Sequence, residues 1–133
     1  LQDDLNADFA SIYLTHALRA SPCESVWLDD ESLMMQGPSF AVRDRYREHG
    51  LKAANWRHIA DDHLANELAF IAHLLAHGHA REACRFIDEH LMQWLPRFAG
   101  RVADRASTRF YAALATLTLQ VVERLRQQLN ACV

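Results

Sequence analysis

The feature that most constrains the fold is a run of apolar residues spaced three or four positions apart between residues 84 and 102. This spacing puts the side chains on one face of an α-helix. Gly and Pro, which break helices, number only four and three among 133 residues, and half of the residues are hydrophobic. The sequence therefore predicts an all-α fold with one real core. The run consists of Cys84, Ile87, Leu91, Trp94, Phe98 and Val102.

The same periodicity predicts further helices, and an acidic residue or a serine stands where it can cap three of them. Asp3 or Asp4 would cap the first helix, Asp61 or Asp62 the strongest one, and Ser107 the last. The last helix is apolar on more than one side, so we expect it to be central. Besides the run described above and the helix after Ser107, the predicted helices cover residues 5–18, 31–36, 38–49 and 62–77.

Two segments lack a helical period, and one predicted helix contains a proline. Residues 21–30 and 51–60 are predicted to be loops, and they contain Trp27 and Trp56. A Trp in a loop is either a lid over the core or an apolar contact surface for a peptide, and both interpretations stay open. Pro96 predicts a kink or two helices that meet there. We expect a single irregular bundle of about five to seven helices.

Length, charge and cysteine usage limit the classes of protein. Residues 1–133 are of one-domain size. The formal net charge is −3 with acids and bases interspersed, which argues against a nucleic-acid partner. Three widely spaced cysteines without a CxxC pair favour a reducing compartment. There is no secretory signal and no apolar run of the ~20 residues that span a bilayer, so we expect no membrane insertion.

No motif for catalysis or for a cofactor is present. GxGxxG, P-loop, GxSxG and HExxH patterns are all missing, and Cys84 on its apolar stripe is expected to be a core thiol. We therefore predict no enzymatic activity, no catalytic residue, no cofactor and no metal. The alternative is a metal-binding helical protein, because His73 and His77 stand one turn apart, with His79 and His63 as further candidates.

The most interesting polar cluster begins the strongest predicted helix. Asp61, Asp62, His63 and Glu67 follow a loop, and an Asp beside a His can orient the ring and raise its basicity. Their spacing also fits an ordinary helix N-terminus with acidic first-turn residues, and on spacing alone this second interpretation is favoured.

Four stretches, in this order and spacing, resemble the TorD/DmsD/NarJ-type redox-enzyme maturation chaperones. The resemblance covers nearly the whole chain, from about residue 9 to residue 126. The four stretches are Glu24–Asp29 with Leu33–Met35, Tyr46 with Gly50 and Leu51, Asp62–Leu64 with Glu67, Leu68 and Phe70, and His90–Phe98 followed by Phe110, Tyr111, Leu114 and Ala115.

The resemblance implies a TorD-like helical chaperone that works in the cytoplasm without enzymatic activity. Such proteins bind the twin-arginine signal peptide and the apo form of a molybdoenzyme subunit, assist cofactor insertion and prevent premature export. It also implies a possible homodimer, including a domain-swapped one, and further N-terminal helices in the full-length protein, in keeping with a chain that opens inside a predicted helix without Met. The peptide-binding residues that it favours are Glu24, Trp27, Asp61, Asp62 and His63.

Overall fold

The protein is a helical bundle in the computed structural model, which describes residues 1–15, 19–28, 37–53 and 59–132. No strand occurs within those ranges, so the predicted all-α fold is confirmed. Two wide π-helical turns, Ala10–Leu14 and Ile87–Leu91, extend α1 and join α5 to α6. The helices are α1 Gln2–Phe9, α2 Glu24–Leu28, α3 Gly37–Glu48, α4 Leu64–Ala76, α5 Ala80–Phe86, α6 Met92–Arg105 and α7 Arg109–Cys132.

The core forms around the apolar run that dominates the sequence. All six of its residues are buried, and Trp94 and Leu91 are 0% exposed. Tyr46 of α3 and Phe86 of α5 pack on either side of the Phe70 ring of α4, with ring centroids 4.8 Å and 4.9 Å away. Each large apolar side chain buried in this way contributes about 1.5–3 kcal/mol. These contacts lock α3, α4, α5 and α6 into one unit.

The prediction that residues 21–30 form a loop is wrong for its middle part, where α2 lies. The first two N–H groups of α2 donate to a residue that is distant in the sequence. Glu24 N–H donates to the carbonyl oxygen of Asp62 at 3.1 Å, and Ser25 N–H donates to the Asp62 carboxylate at 2.6 Å. Because this cap comes from 37 residues further along, the local sequence does not reveal it. The predicted helix 31–36 and Trp56 lie outside the described residues.

The predicted caps of α1 and α4 are wrong, although the helices themselves are present. α1 begins at Gln2, and its N-cap residue is Leu1 rather than an aspartate. At α4 the N-cap is His63, whose Nδ1 accepts the N–H of Ala65 at 3.0 Å. Asp62 is not available for this role because its carboxylate is committed to α2. The predicted ends of α3 and α4 are confirmed, and Gly50 and Gly78 follow them with positive φ.

The two helices that the sequence predicts to meet at Pro96 meet before it, at the boundary between the Ile87–Leu91 turn and α6. α6 runs continuously through this proline, which is its fifth residue. The residue four positions earlier, Met92, has ψ −7°, far from the helical value, and the π-helical turn lies directly before it. A proline ring clashes with the carbonyl group four residues earlier, so the chain adjusts at Met92 and the irregularity falls before α6.

The expectation that the last helix is central is also wrong. α7 packs on α5 and α6 through Ala115, Val122 and Leu129, which are buried. A second apolar stripe is exposed, because the described helices cover only one side of α7. No helix of the described ranges combines the length and hydropathy needed to cross a bilayer. The exposed stripe consists of Phe110, Leu114, Leu117 and Val121, which are 40–56% exposed.

The start of α7 is held by a carboxylate from α1. Asp8 is buried, and its two oxygens accept the N–H groups of Ser107 and Thr108 at 3.0 Å and 2.9 Å and the Thr108 hydroxyl at 2.6 Å. Burial alone would raise the pKa of Asp8, but these three hydrogen bonds hold the pKa below its ordinary value. The predicted cap Ser107 is thus one residue too early, since Thr108 directly precedes α7.

We predict that Asp8→Asn destabilises the protein by about 1–2 kcal/mol, because a charged acceptor of three hydrogen bonds is lost. Since the folded-state pKa of Asp8 is lowered, its contribution is present above the unfolded pKa and is lost as the pH falls through the folded value. Urea unfolding at neutral and acid pH measures both effects. Asp3→Asn, in the exposed first turn of the same helix, is the matched control and should change stability little. Equal losses in the two variants would contradict the capping role.

Candidate peptide-binding site

A short antiparallel bridge brings the two predicted halves of the site together. Cys23, just before α2, pairs with His63, just before α4. Leu64 N–H donates to the carbonyl oxygen of Pro22 at 2.8 Å, and Glu24 N–H donates to that of Asp62 at 3.1 Å. We call this contact between residues 22–25 and 62–64 the junction. It places Glu24, at the start of α2, directly beside Asp62 and His63 at the start of α4.

Buried carboxyl groups lie behind the junction. Glu24, Asp62 and Glu67 are all 0–1% exposed. Glu24 Oε2 contacts His90 Nδ1 at 3.1 Å, and Trp94 Nε1–H donates to Glu67 Oε1 at 3.2 Å. The remaining oxygen of each carboxyl group has no hydrogen-bond partner in the described part of the chain. These three residues, called here the acidic cluster, therefore retain unused acceptor capacity inside the protein.

Burial controls the protonation of the acidic cluster. It raises the pKa of Glu67 well above the ordinary value, and the nearby negative charge of Glu24 raises it further. Burial also raises the pKa of Glu24, although the contact with His90 opposes the shift. The thiol of Cys23 has its pKa raised to about 12, by burial first and by the charge of Asp62 second. Glu67 is therefore the group on which a proton is most readily retained, and Cys23 is an inert thiol.

Asp61 is buried like the acidic cluster but is already neutralised by a cation. Its Oδ2 forms an ion pair with Arg43 Nε of α3 at 2.6 Å. Its carbonyl oxygen accepts the hydroxyl of Tyr46 at 2.7 Å. The carboxylate thus belongs to the contact between α3 and the start of α4, and it needs no further positive charge.

Trp27 and His63 are the two predicted site residues that reach the surface, where both are half-buried. The indole N–H of Trp27 donates to the carbonyl oxygen of Ser21 at 2.8 Å. The guanidinium groups of Arg101 and Arg97 lie 4.5 Å and 5.5 Å from the centre of the Trp27 ring. This is cation–π geometry, and it makes the surroundings of Trp27 positively charged.

Several residues of the site were missed or misplaced by the sequence interpretation. The spacing of Glu67 indicated only an acidic residue in the first turn of a helix, yet its side chain is fully buried. The signal was present, because Leu64, Glu67, Ile71 and Leu74 follow the spacing of the buried face of α4. The sequence gave no comparable indication for His90, because its partner in the acidic cluster, Glu24, lies 66 residues earlier in the chain.

Three histidines of the metal-binding alternative, His73, His77 and His79, lie at or just beyond the C-terminal end of α4, whereas His63 caps its N-terminus. The rings of His73 and His77 are stacked with centroids 4.1 Å apart, and His77 Nδ1 contacts the carbonyl oxygen of His73. Within the described ranges, no group of three or more His, Cys, Asp or Glu side chains is arranged to hold a metal ion. This alternative stays a prediction without a structural observation in its favour.

We predict that the raised pKa of Glu67 makes the protein less stable as the pH rises above the ordinary glutamate value of 4.5. The folded state holds a proton that the unfolded chain has released, so stability is greatest below the unfolded pKa and falls toward the folded one. Glu67→Gln is permanently neutral and should flatten the dependence of unfolding free energy on pH, measured in urea. Glu123→Gln, exposed on α7, should leave the dependence unchanged. An unchanged slope in Glu67→Gln would show that Glu67 is ionised in the folded protein.

Comparisons with known proteins agree with this helical architecture. Residues 1–100 match the family model described as the nitrate reductase delta subunit. The Tat proofreading chaperone DmsD of Salmonella typhi is 32% identical over 114 residues, which cover 86% of this chain and 56% of that protein. The chaperone protein TorD of Shewanella sp. (strain ANA-3) is 32% identical over 134 residues, covering 96% of this chain and 64% of that protein. The chain thus spans about three fifths of the length of these relatives, and it belongs to the nitrate reductase delta subunit family, the TorD/DmsD-type chaperones of redox-enzyme maturation.

Proposed function

We propose that this protein is a cytoplasmic chaperone that binds the twin-arginine signal peptide and the apo form of a molybdoenzyme subunit. In this role it assists cofactor insertion and prevents premature export, without catalysing a reaction. Its family and the names of its relatives, which include Tat proofreading chaperones, support the proposal. The observation that carries it is the junction, which sets Glu24 at the start of α2 beside Asp62 and His63, with Trp27 three residues further along α2.

The acidic cluster supplies the chemistry that an arginine pair requires. A guanidinium group offers several N–H donors in a fixed plane, and carboxylates accept them in pairs. Asp62 uses one oxygen to cap α2, while its Oδ1 has no partner in the described ranges. Glu24 Oε1 likewise has no hydrogen-bond partner in the described ranges. An arriving arginine would satisfy acceptors that are otherwise buried without a donor, which is a favourable exchange.

Access to these carboxylates requires α2 to move, because Glu24 and Asp62 are buried. α2 has only five residues. Such a short segment can separate from α4 at the cost of a few hydrogen bonds, far below the cost of unfolding the core. His63 and Trp27, at the edge of the junction, would meet the client first. We therefore propose that α2 opens when the leader binds.

The positive surroundings of Trp27 assign the two parts of the leader to different surfaces. Arg97 and Arg101 repel the arginine pair from the indole ring. The apolar stretch of the leader carries no charge and can pack beside Trp27. Asp61 is neutralised by Arg43, so within the proposed site it attracts the leader less than Asp62 does. Homodimerisation, including by domain swapping, stays a prediction.

Calorimetric titration with twin-arginine leaders of molybdoenzymes tests the proposed function. A leader of the cognate client should bind, and its Arg-Arg→Ala-Ala form should bind at least about tenfold more weakly, since charged hydrogen bonds are lost. The Lys-Lys form should also be weaker, because an ammonium group cannot pair with a carboxylate in the bidentate manner. Equal binding of all three forms would contradict recognition of the arginines, and no binding of any leader would contradict the proposed function.

Two matched substitutions test the assignment within the site. Asp62→Asn keeps an acceptor for Ser25 N–H but removes the charge, and we expect about tenfold weaker leader binding. Asp61→Asn changes a carboxylate that Arg43 already neutralises, so its effect on leader binding should be smaller. Circular dichroism and urea unfolding of both variants separate a loss of binding from a loss of fold. A larger effect of Asp61→Asn would reverse the assignment.

A further inference from the structure

Two adjoining depressions lie beside the junction, between α3 and α4. One has a volume of about 320 Å³ and the other about 250 Å³. They share Tyr46, Leu51 and Lys52, so they form one cleft with two ends. The first end is completed by Arg43, Arg47 and Asp61. The second end is completed by Ala53, Asn66, Ala69, Phe70 and His73.

The first end of the cleft is positively charged in a protein whose formal net charge is −3. Three basic side chains, Arg43, Arg47 and Lys52, line it together with a single acid, Asp61. Arg43 already holds the Asp61 carboxylate through Nε at 2.6 Å, which shows how a carboxylate fits against this wall. Arg47 is 70% exposed, and its Nη1 atom lies 4.0 Å from the Asp44 carboxylate. A contact of this kind is weak and is easily replaced by a better-placed anion.

The second end of the cleft is apolar and aromatic. Phe70 and Tyr46 pack with ring centroids 4.8 Å apart at its base. Ala53 and Ala69 at its sides are small, which leaves the space open. This end suits an apolar side chain, while the first end suits an anionic group only a few ångströms away.

The backbone beside the cleft is unsuited to a phosphate. Phosphate sites use consecutive free N–H groups, usually of a glycine-rich loop. Here the N–H groups of Gly50 and Leu51 already donate to the carbonyl oxygens of Arg47 and Tyr46, each at 2.9 Å. An anion in this cleft would therefore be bound by side chains and not by backbone N–H groups, as a carboxylate is when arginine binds it.

We infer that the cleft binds a client polypeptide segment in which an Asp or Glu residue stands next to an aromatic or aliphatic residue. This inference rests on the proposed function only in taking a client polypeptide as the occupant. Asp61 of the cleft directly precedes Asp62 of the junction, so the acidic segment binds beside the arginine pair and has the opposite charge. The client is thus recognised by two neighbouring surfaces of opposite sign, which fixes the direction in which the polypeptide lies.

The test uses short acetylated and amidated peptides, so that terminal charges play no part. The probe is Ala-Glu-Phe-Ala, with Ala-Gln-Phe-Ala and Ala-Glu-Ala-Ala as matched controls, and binding is measured by NMR titration of the full chain. We expect the first peptide to shift signals of the cleft and each control to bind about five- to tenfold more weakly, since each lacks one of the two contacts. Equal binding of the Glu and Gln peptides would overturn the inference.

Paired substitutions locate the binding. Arg47→Glu should abolish preference for the Glu peptide, whereas Arg124→Glu on exposed α7 makes the same charge change and should not. Ala69→Phe fills the apolar end and should weaken binding of the Phe-containing probe, whereas Ala72→Phe on the same helix should not. Equal effects within either pair would overturn the inference, as would tighter binding of adenosine monophosphate than of the peptide at these residues.

The leader titration keeps this inference separate from the proposed function. Leader binding without acidic-peptide binding would overturn the cleft assignment and leave the chaperone proposal in place. Acidic-peptide binding without leader binding would keep the cleft as a peptide site and overturn recognition of the twin-arginine leader.

Discussion

The hydrogen bonding of Asp62 is the interaction on which the rest of the site depends. Through one carbonyl oxygen and one carboxylate oxygen, this residue supplies the acceptors for the first two N–H groups of α2. A five-residue helix has too few internal hydrogen bonds to be stable alone, so α2 exists because Asp62 holds it. The same hydrogen bonds hold the start of α2 against residues 62–64, and because the Asp62 carboxylate is used there, α4 is capped by His63.

Burying the acidic cluster in the core costs folding stability. A protein with a purely structural role would avoid this cost. Each of the three carboxyl groups has an oxygen that lacks a partner in the described ranges, and Glu67 contacts Trp94, which is fully buried. Apolar residues of similar size at these positions would pack without that cost. The cost is tolerable because Glu67 can remain protonated and Glu24 contacts His90. Unused acceptors in an otherwise well-packed core are typical of a binding site whose ligand brings the missing donors.

Sequence periodicity predicts the helices whose stability comes from packing. It does not predict helix ends that depend on hydrogen bonds to residues far away in the sequence. The run from Cys84 to Val102 is buried throughout, since a 3.6-residue period and a common core determine each other. α2 was missed because its cap comes from Asp62, and the start of α7 was misassigned because Asp8 supplies its acceptors. Of the five residues that the family resemblance selected, the junction contains Glu24, Asp62 and His63. The resemblance gave no sign that Glu24, Asp61 and Asp62 are buried.

Under the proposed function, the distribution of charge would let the protein distinguish the parts of one polypeptide. The acidic cluster contains three carboxyl groups, and the wall around Trp27 carries Arg97 and Arg101. The neighbouring cleft carries Arg47 and Lys52 besides the ion pair of Arg43 with Asp61. A single uniformly acidic groove would bind any basic peptide. Alternating signs penalise a peptide that is shifted along the surface, because its arginines would then face guanidinium groups. Selectivity for one register thus follows from repulsion beside the site as much as from attraction within it.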